Sequence, residues 1–161
     1  MHASGSSEDS SSQDHMWAVV GRGDISSEHA VKSRIEEVRS ALEALPESRL
    51  ADFQRWLASR LFDIDRRAYA EIPARLSGGS EMKQSPDSFL YARCACILAG
   101  EESWRDIIEG NTSFSAFTAA ASQGAESLLY LAAKVSEERF GRTMRVTDGP
   151  SYETGSNSAW W

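Results

Sequence analysis

The sequence lacks a long apolar run, and it lacks any concentration of positive charge. No apolar stretch approaches the about 20 residues that a membrane-spanning helix needs. Acidic residues outnumber basic ones by 24 to 17, which gives a net charge of −7. Surfaces that bind nucleic acid concentrate Lys and Arg, so this balance argues against such a surface. The first fifteen residues are polar and acidic, unlike a signal peptide. We therefore expect a cytoplasmic protein without nucleic-acid or membrane partners.

Cysteine and histidine are also scarce. The two cysteines, Cys94 and Cys96, lie two residues apart. On a helix such residues point in nearly opposite directions, so they can neither form a disulfide with each other nor share one metal ion. His2, His15 and His29 are separated from one another and have no cysteine or carboxylate at metal-ligand spacing. The sequence therefore predicts no metal site and no cofactor.

The longest nearly uninterrupted apolar stretch is SPDSFLYARCACILAG, over 85–100. Ser85 can cap a helix, Pro86 suits the first helical position, and Gly100 supplies a stop. Almost no polar face remains between these ends, which is typical of a helix surrounded by other elements. The stretch predicts a buried central helix over 85–99.

Other apolar residues recur at the three-to-four spacing of amphipathic helices. This spacing predicts a short helix from Asp14 anchored by Trp17, helices over about 27–45 and 47–64, a short helix around Trp104, and a last one over about 125–140. No strand-like alternation of useful length is present. We predict an all-α fold, a compact single-domain bundle of six to eight helices over 14–141. The polar composition predicts a disordered tail over 1–13 and a flexible tail over 142–161.

Five motifs occur in a characteristic order: an apolar Trp segment, LPESRLADF, FDIDRRAYAEIP, PDSFLYARCACILAGEESW and ESLLYLAAKVSEERFG. Together they resemble the bacterial family DUF4240 over residues 16 to about 141. The most specific parts are Phe89–Arg93 with Gly100, and the helix that contains Leu128–Tyr130. The resemblance implies a small helical domain of the bacterial cytoplasm and implies no particular activity. The loop over 77–85 departs from the commoner family form, in which a Gly-Gly is closely followed by acidic residues.

One charged residue, Arg93, interrupts the central apolar helix. A buried guanidinium needs carboxylate or carbonyl partners to offset its loss of hydration. It could form a structural ion pair between two helices, or it could be an anion-recognising fork in a pocket. The candidate ligand-binding set comprises Arg93, Asp63, Asp65, Glu71, Tyr69 and Tyr91.

The chain closes on TDGPSYETGSNSAWW, a polar stretch that ends in Trp160 and Trp161. Two tryptophans on a polar arm suit docking into a partner, because tryptophan is enriched among the residues that dominate binding energy. The pair could instead fold back on the domain or cross to a neighbouring molecule to cover its apolar surface. We predict that both indoles dock on protein, either on this chain or on a partner.

These patterns favour a non-catalytic interaction or accessory domain that binds a protein partner, or self-associates, through its C-terminal tail. An alternative hypothesis is a small enzyme or anion-binding protein that uses a pocket around Arg93. A third is a carrier whose tail is a substrate for modifying enzymes. No catalytic residue is assigned by the sequence.

Overall fold

The computed structural model describes residues 15–161, and the predicted disordered tail over 1–13 lies outside the described residues. Seven α-helices occur in this part of the chain: α1 over 15–20, α2 (Glu28–Glu43), α3 (Glu47–Asp63), α4 (Arg67–Ala70), α5 (Pro86–Ala99), α6 (Glu101–Glu109) and α7 (Leu131–Phe140). Two 3-10 segments, Phe114–Phe117 and Ala120–Tyr130, separate α6 from α7, and a short 3-10 turn forms at Ser158–Trp160. The all-α prediction is confirmed.

Helix α5 is the central element, as its composition predicts. Ser85 and Ser88 form a reciprocal capping box: the Ser85 hydroxyl accepts from Ser88 N (3.0 Å), and the Ser88 hydroxyl accepts from Ser85 N (2.8 Å). Pro86 is the first helical residue. Gly100 ends the helix with a φ of +121°, a conformation that disfavours any residue with a Cβ, and α6 starts at the next position. Both predicted boundary signals are therefore used.

The helices around α5 bury amphipathic faces against it. Helix α2 and the 3-10 segment Ala120–Tyr130 pack on α5, and α7 packs on α2 and α3. Trp17 of α1 is buried, as predicted. Its ring meets Trp56 edge-on at 4.8 Å between centroids and lies 5.6 Å from Trp104, so one aromatic cluster joins α1, α3 and α6.

A second buried arginine, Arg34, ties α2 to the end of α5. Its guanidinium donates to Leu98 O from Nε (3.1 Å) and from Nη2 (2.9 Å), and it also donates to Val20 O and to Glu37. Gly23 lies directly against this side chain, where a Cβ would overlap the arginine stem. The amphipathic spacing identified α2 but gave no sign that one of its arginines is inside.

The last predicted helix, over about 125–140, differs from the structure. Its first half belongs to the 3-10 segment Ala120–Tyr130, and only Leu131–Phe140 is α-helical. Four buried residues recur at every third position, which fits this geometry: Ser122, Ala125, Leu128 and Leu131. A 3-10 helix has three residues per turn, so this spacing places them on one line, which faces α2 and α5.

The predicted loop over 77–85 contains part of a small hairpin. Strands β1 (Ala74–Arg75) and β2 (Glu81–Met82) pair antiparallel, with Ala74 opposite Met82. Gly79 adopts a φ of +85° in the turn between them. Two-residue strands are too short to leave an alternation in the sequence, which is why the pattern predicted no strand.

Residues 142–161 run along the body of the domain without long regular structure. Met144 and Tyr152 pack partly buried against the core, and Asp148 pairs with Arg55 at 2.8 Å. The flexibility that the composition predicts stays a prediction. In the structure this segment is in contact with the helical core.

Replacing Phe89 by alanine tests the central position of α5. Phe89 is buried, contacts Phe114 at 5.6 Å between ring centroids, and lies under the Arg93 guanidinium. We expect Phe89→Ala to lower the free energy of unfolding by about 3–5 kcal/mol, because it leaves a cavity in the core. Leu76→Ala, at an exposed position, should change it by less than about 1 kcal/mol in the same urea titration. Equal effects of the two changes would contradict the burial.

The two buried thiols predict a pH dependence of stability. Burial raises the pKa of Cys94 to about 12 and also raises the pKa of Cys96. In the unfolded chain a thiol loses its proton near pH 9, whereas the folded state keeps it, so stability falls as the pH rises above that value. The fall is at most about 1.4 kcal/mol per pH unit for each thiol. Above pH 9 the free energy of unfolding, measured in urea, should fall less steeply with pH for the double variant Cys94→Ala/Cys96→Ala than for the parent. An identical pH dependence of the two proteins would refute this.

Candidate functional site

Arg93 lies inside the domain with none of its surface exposed. Its Nη1 donates to Leu61 O (3.1 Å), and its Nη2 donates to Tyr152 O (2.9 Å) and to the Thr154 hydroxyl (3.2 Å). The guanidinium also stands over the ring of Phe89, 4.7 Å from its centroid. Within residues 15–161, Arg93 Nε has no hydrogen-bond partner. The predicted burial is confirmed, and the residue is held by carbonyls and a hydroxyl.

Asp65 is equally buried, in the turn that follows α3. Its Oδ1 accepts from Gly155 N (3.1 Å) and from the indole nitrogen of Trp161 (3.0 Å). Its Oδ2 accepts from Asn157 N (3.0 Å), and its main-chain oxygen also accepts from the Trp161 indole at 2.9 Å. One carboxylate therefore gathers three N–H groups of the C-terminal segment.

We call Asp65 and Arg93 the clamp, and we call residues 152–161 the strap. Burial lowers the pKa of Arg93, and the negative charge of Asp65 opposes that shift. The structure differs from the expectation of a direct ion pair, because Arg93 makes none with the carboxylates of the described residues. The strap bonds to both residues: its N–H groups donate to the Asp65 carboxylate, and its oxygen atoms accept from the Arg93 guanidinium.

The other predicted members of the set are dispersed. Asp63 pairs with Arg60 at 3.3 Å, and partial burial raises its pKa. Glu71 is exposed and pairs with Arg67 within its own turn. Tyr69 donates its hydroxyl to Ile107 O at 3.0 Å and stacks on Phe114. Tyr91 has its pKa raised by burial and by the charge of Glu126.

The structure thus brings Arg93 and Asp65 together and leaves four candidates outside the clamp. Asp63, Glu71, Tyr69 and Tyr91 make their hydrogen bonds, ion pairs or close charge contacts with residues other than the clamp. Their assignment as ligand-binding residues stays a prediction.

The two terminal tryptophans lie on the surface of their own domain. The Trp160 ring covers the guanidinium of Arg66, which is 3.9 Å from the ring centroid. Trp161 meets Phe89 edge-on at 6.4 Å between ring centroids, while its nitrogen is bound to Asp65. The two residues remain 52% and 42% exposed. Trp160 is therefore held through its ring face and Trp161 through its ring nitrogen, and both present apolar surface to solvent.

A groove of about 420 Å³ opens beside Trp161. Its lining is mostly apolar and includes Ala70, Pro86, Phe89 and Trp161, with Lys83 and Gln84 among its polar residues. Gln84 is 7% exposed, and its Nε2 faces the carbonyl oxygens of residues 69, 70 and 72. These three acceptors fix the orientation of the amide. Its Oε1 accepts no hydrogen bond from the described part of the chain.

The clamp groups are already engaged by the polypeptide chain. Its carboxylate and guanidinium are both hydrogen-bonded to polypeptide groups and closed to solvent. The thiol beside Arg93, Cys94, is buried with a raised pKa, which disfavours the nucleophilic thiolate. Among residues 15–161, no cluster of His, Cys, Asp or Glu could hold a metal ion. No helix in the same range is long and apolar enough to span a bilayer.

The polar composition of residues 142–161 gives no sign that the strap is held in place. Asn157 of this polar stretch is buried and donates its amide to Phe62 O at 2.9 Å. Thr154 donates its hydroxyl to Pro86 O at 2.7 Å. The available signal was the Thr-Gly-x-Asn sequence, which favours a tight turn just before a pair of aromatic residues.

The described molecule is a compact all-α domain with a C-terminal strap bound to a buried carboxylate and guanidinium. Comparison with protein families gives a match over residues 12–138 to the family described as "Protein of unknown function (DUF4240)", and the chain belongs to that family. Comparisons with curated proteins and with solved structures gave no match. The clamp residues lie inside the matched range, whereas the strap lies beyond its end.

Removing the guanidinium tests whether the clamp is structural. We expect Arg93→Ala to cost about 3–5 kcal/mol of unfolding free energy, because it leaves Asp65 buried without the neighbouring positive charge. Arg67→Ala, which breaks the exposed pair with Glu71, should cost about 0–1 kcal/mol. Chemical denaturation of both variants provides the measurement. A loss below about 1 kcal/mol for Arg93→Ala would contradict a buried, structurally required cation.

Proposed function

We propose that this domain is a non-catalytic interaction module that docks a protein partner through the surface formed by Trp160 and Trp161. The observation that carries the proposal is the fixed, half-exposed state of both indoles, at 52% and 42%. Asp65 and Arg66 hold them, so little side-chain entropy remains to be lost on binding. The proposal places the domain in the bacterial cytoplasm, as the family resemblance implies.

The groove beside Trp161 supports the same proposal. Its volume of about 420 Å³ lies in the range of known ligand sites, and its wall is mainly apolar. Lys83 lies on its rim, whereas Arg67 is already paired with Glu71. A partner that inserts an aromatic side chain next to an acidic residue would complement this arrangement.

The alternative function, an anion site or a small enzyme at Arg93, receives less support. An anion would have to displace Tyr152 O and the Thr154 hydroxyl from the guanidinium. It would also meet the nearby carboxylate of Asp65, which repels negative charge. The geometry therefore favours recognition of polypeptide over recognition of an anion.

Replacing Trp160 by alanine tests the proposed docking surface. We expect the free energy of unfolding of the variant to lie within about 1 kcal/mol of the parent value, because only one exposed cation–π contact is lost. Affinity for the partner, isolated by cross-linking to the parent protein, should fall by about 30-fold or more, as for a tryptophan at the centre of an interface.

The control is Leu76→Ala, which removes an apolar side chain of similar exposure that does not line the groove. It should bind the partner like the parent in a titration by calorimetry. If Trp160→Ala binds as tightly as this control, the indole pair is not the docking surface.

A further inference from the structure

We propose that the clamp is a binding site for a turn-forming polypeptide segment, occupied in this structure by the chain's own strap, and that the strap of a second copy can replace it by exchange. The inference rests on the proposed function in one respect, namely that the C-terminal segment is the docking element. It concerns the buried clamp, whereas the proposed function concerns the exposed indole surface.

The body of the domain positions part of the clamp. Arg93 donates to Leu61 O at 3.1 Å, and its guanidinium rests on Phe89. Asp65 is held by its main-chain N–H, which donates to Phe62 O at 3.1 Å. The charges of Asp65 and Arg93 also attract each other. A vacated clamp would therefore keep Arg93 and the Asp65 main chain in place, and water could take the hydrogen bonds that the strap now makes with the Asp65 carboxylate and with Arg93 Nη2.

The hydrogen bonds define the segment that this site recognises. The carboxylate accepts from two main-chain N–H groups that are two residues apart. The guanidinium donates to a main-chain carbonyl and to a hydroxyl. Gly155 has a φ of +90°, which favours glycine at that position, and Ser156 N closes the turn on Glu153 O at 3.1 Å. Trp161 adds the indole N–H six residues after this glycine.

The strap covers less of the apolar core than a core helix does, although Tyr152 packs partly buried against it and Trp161 meets Phe89. Among residues 142–161, all of which the structure describes, Asn157 is the one buried residue, and it is polar. Helix α7, by contrast, buries Leu131, Ala132 and Val135. On release, water can replace each hydrogen bond of the strap, whereas the apolar contacts of a core helix have no such substitute.

A second copy of this chain is the occupant that the geometry favours, because its strap carries the same matching groups. The linking residues over 142–151 are mostly exposed, and one of their attachments is the exposed ion pair between Asp148 and Arg55. Exposed pairs of this kind contribute little stability. Ten residues extend to at most about 35 Å, which exceeds the radius of a domain of this size. The strap can therefore reach the clamp of a neighbouring copy.

A labelled peptide of residues 150–161 tests the site on the full-length chain, with fluorescence anisotropy as the readout. In the parent protein the tethered strap competes with the peptide. Asn157→Asp in the protein replaces the buried amide that donates to Phe62 O with a carboxylate, which cannot donate there, and so loosens that strap. We expect peptide affinity to rise at least about tenfold in this variant, since a tethered competitor acts at an effective concentration of about millimolar.

Ser158→Asp is the matched control, because it adds the same charge at the next position, which is exposed. It should leave peptide affinity at the parent value. Adding Asp65→Asn to the Asn157→Asp chain should remove saturable binding. Equal affinity of the peptide for the parent and the Asn157→Asp chain would overturn the proposal.

Peptide variants keep the test decisive if a protein variant fails to fold. On the parent chain, a peptide with Asn157→Asp should lose binding, and one with Ser158→Asp should keep it. Equal binding of these two peptides would also overturn the proposed site. Trp160→Ala in the protein alters the indole surface and leaves the clamp residues unchanged, so the proposed function and this inference can fail separately.

Sedimentation of the parent protein tests the second copy. We expect a dimer whose fraction rises with concentration and falls when the peptide is added in excess. The Asn157→Asp chain should remain monomeric, because its strap no longer fits either clamp. A parent protein that binds the peptide but stays monomeric at every concentration would overturn the assignment of a second copy as the occupant.

Discussion

The charge of Arg93 inside an otherwise apolar helix is the constraint on which the rest of this structure depends. An unsatisfied guanidinium in the interior would cost several kcal/mol, so groups from two other parts of the chain converge on it. The body of the domain supplies Leu61 O, and the strap supplies Tyr152 O and the Thr154 hydroxyl. The negative charge of Asp65 stabilises the buried cation and so opposes the lowering of the Arg93 pKa by burial. The strap is thus the polar complement of the central helix.

The two buried arginines both donate to carbonyl oxygens near helix ends. Arg93 donates to Leu61 O in the last turn of α3, and Arg34 donates to Leu98 O in the last turn of α5. Carbonyl groups in the last turn of a helix lack partners within the helix, and the helix dipole makes that end attractive to cations. Each arginine therefore binds one helix end to a neighbouring helix.

The match to DUF4240 ends at residue 138, whereas the clamp it contains is completed by residues beyond that point. The matched region therefore contains a buried carboxylate and guanidinium that receive further hydrogen-bond partners from residues beyond it.

The sequence by itself determined the helices, because helical spacing, caps and stops are local: Ser85, Pro86 and Gly100 set the ends of α5, and its composition required burial. It also required that Arg93 find partners. Which partners it found was decided only by tertiary structure, since Leu61, Tyr152 and Thr154 are 32, 59 and 61 residues away. The same holds for Asp65, for which composition offered no sign that three N–H groups from a polar tail would converge on it. Local patterns specify faces and ends, whereas the identity of a long-range hydrogen-bond partner depends on how the packed helices bring distant residues together.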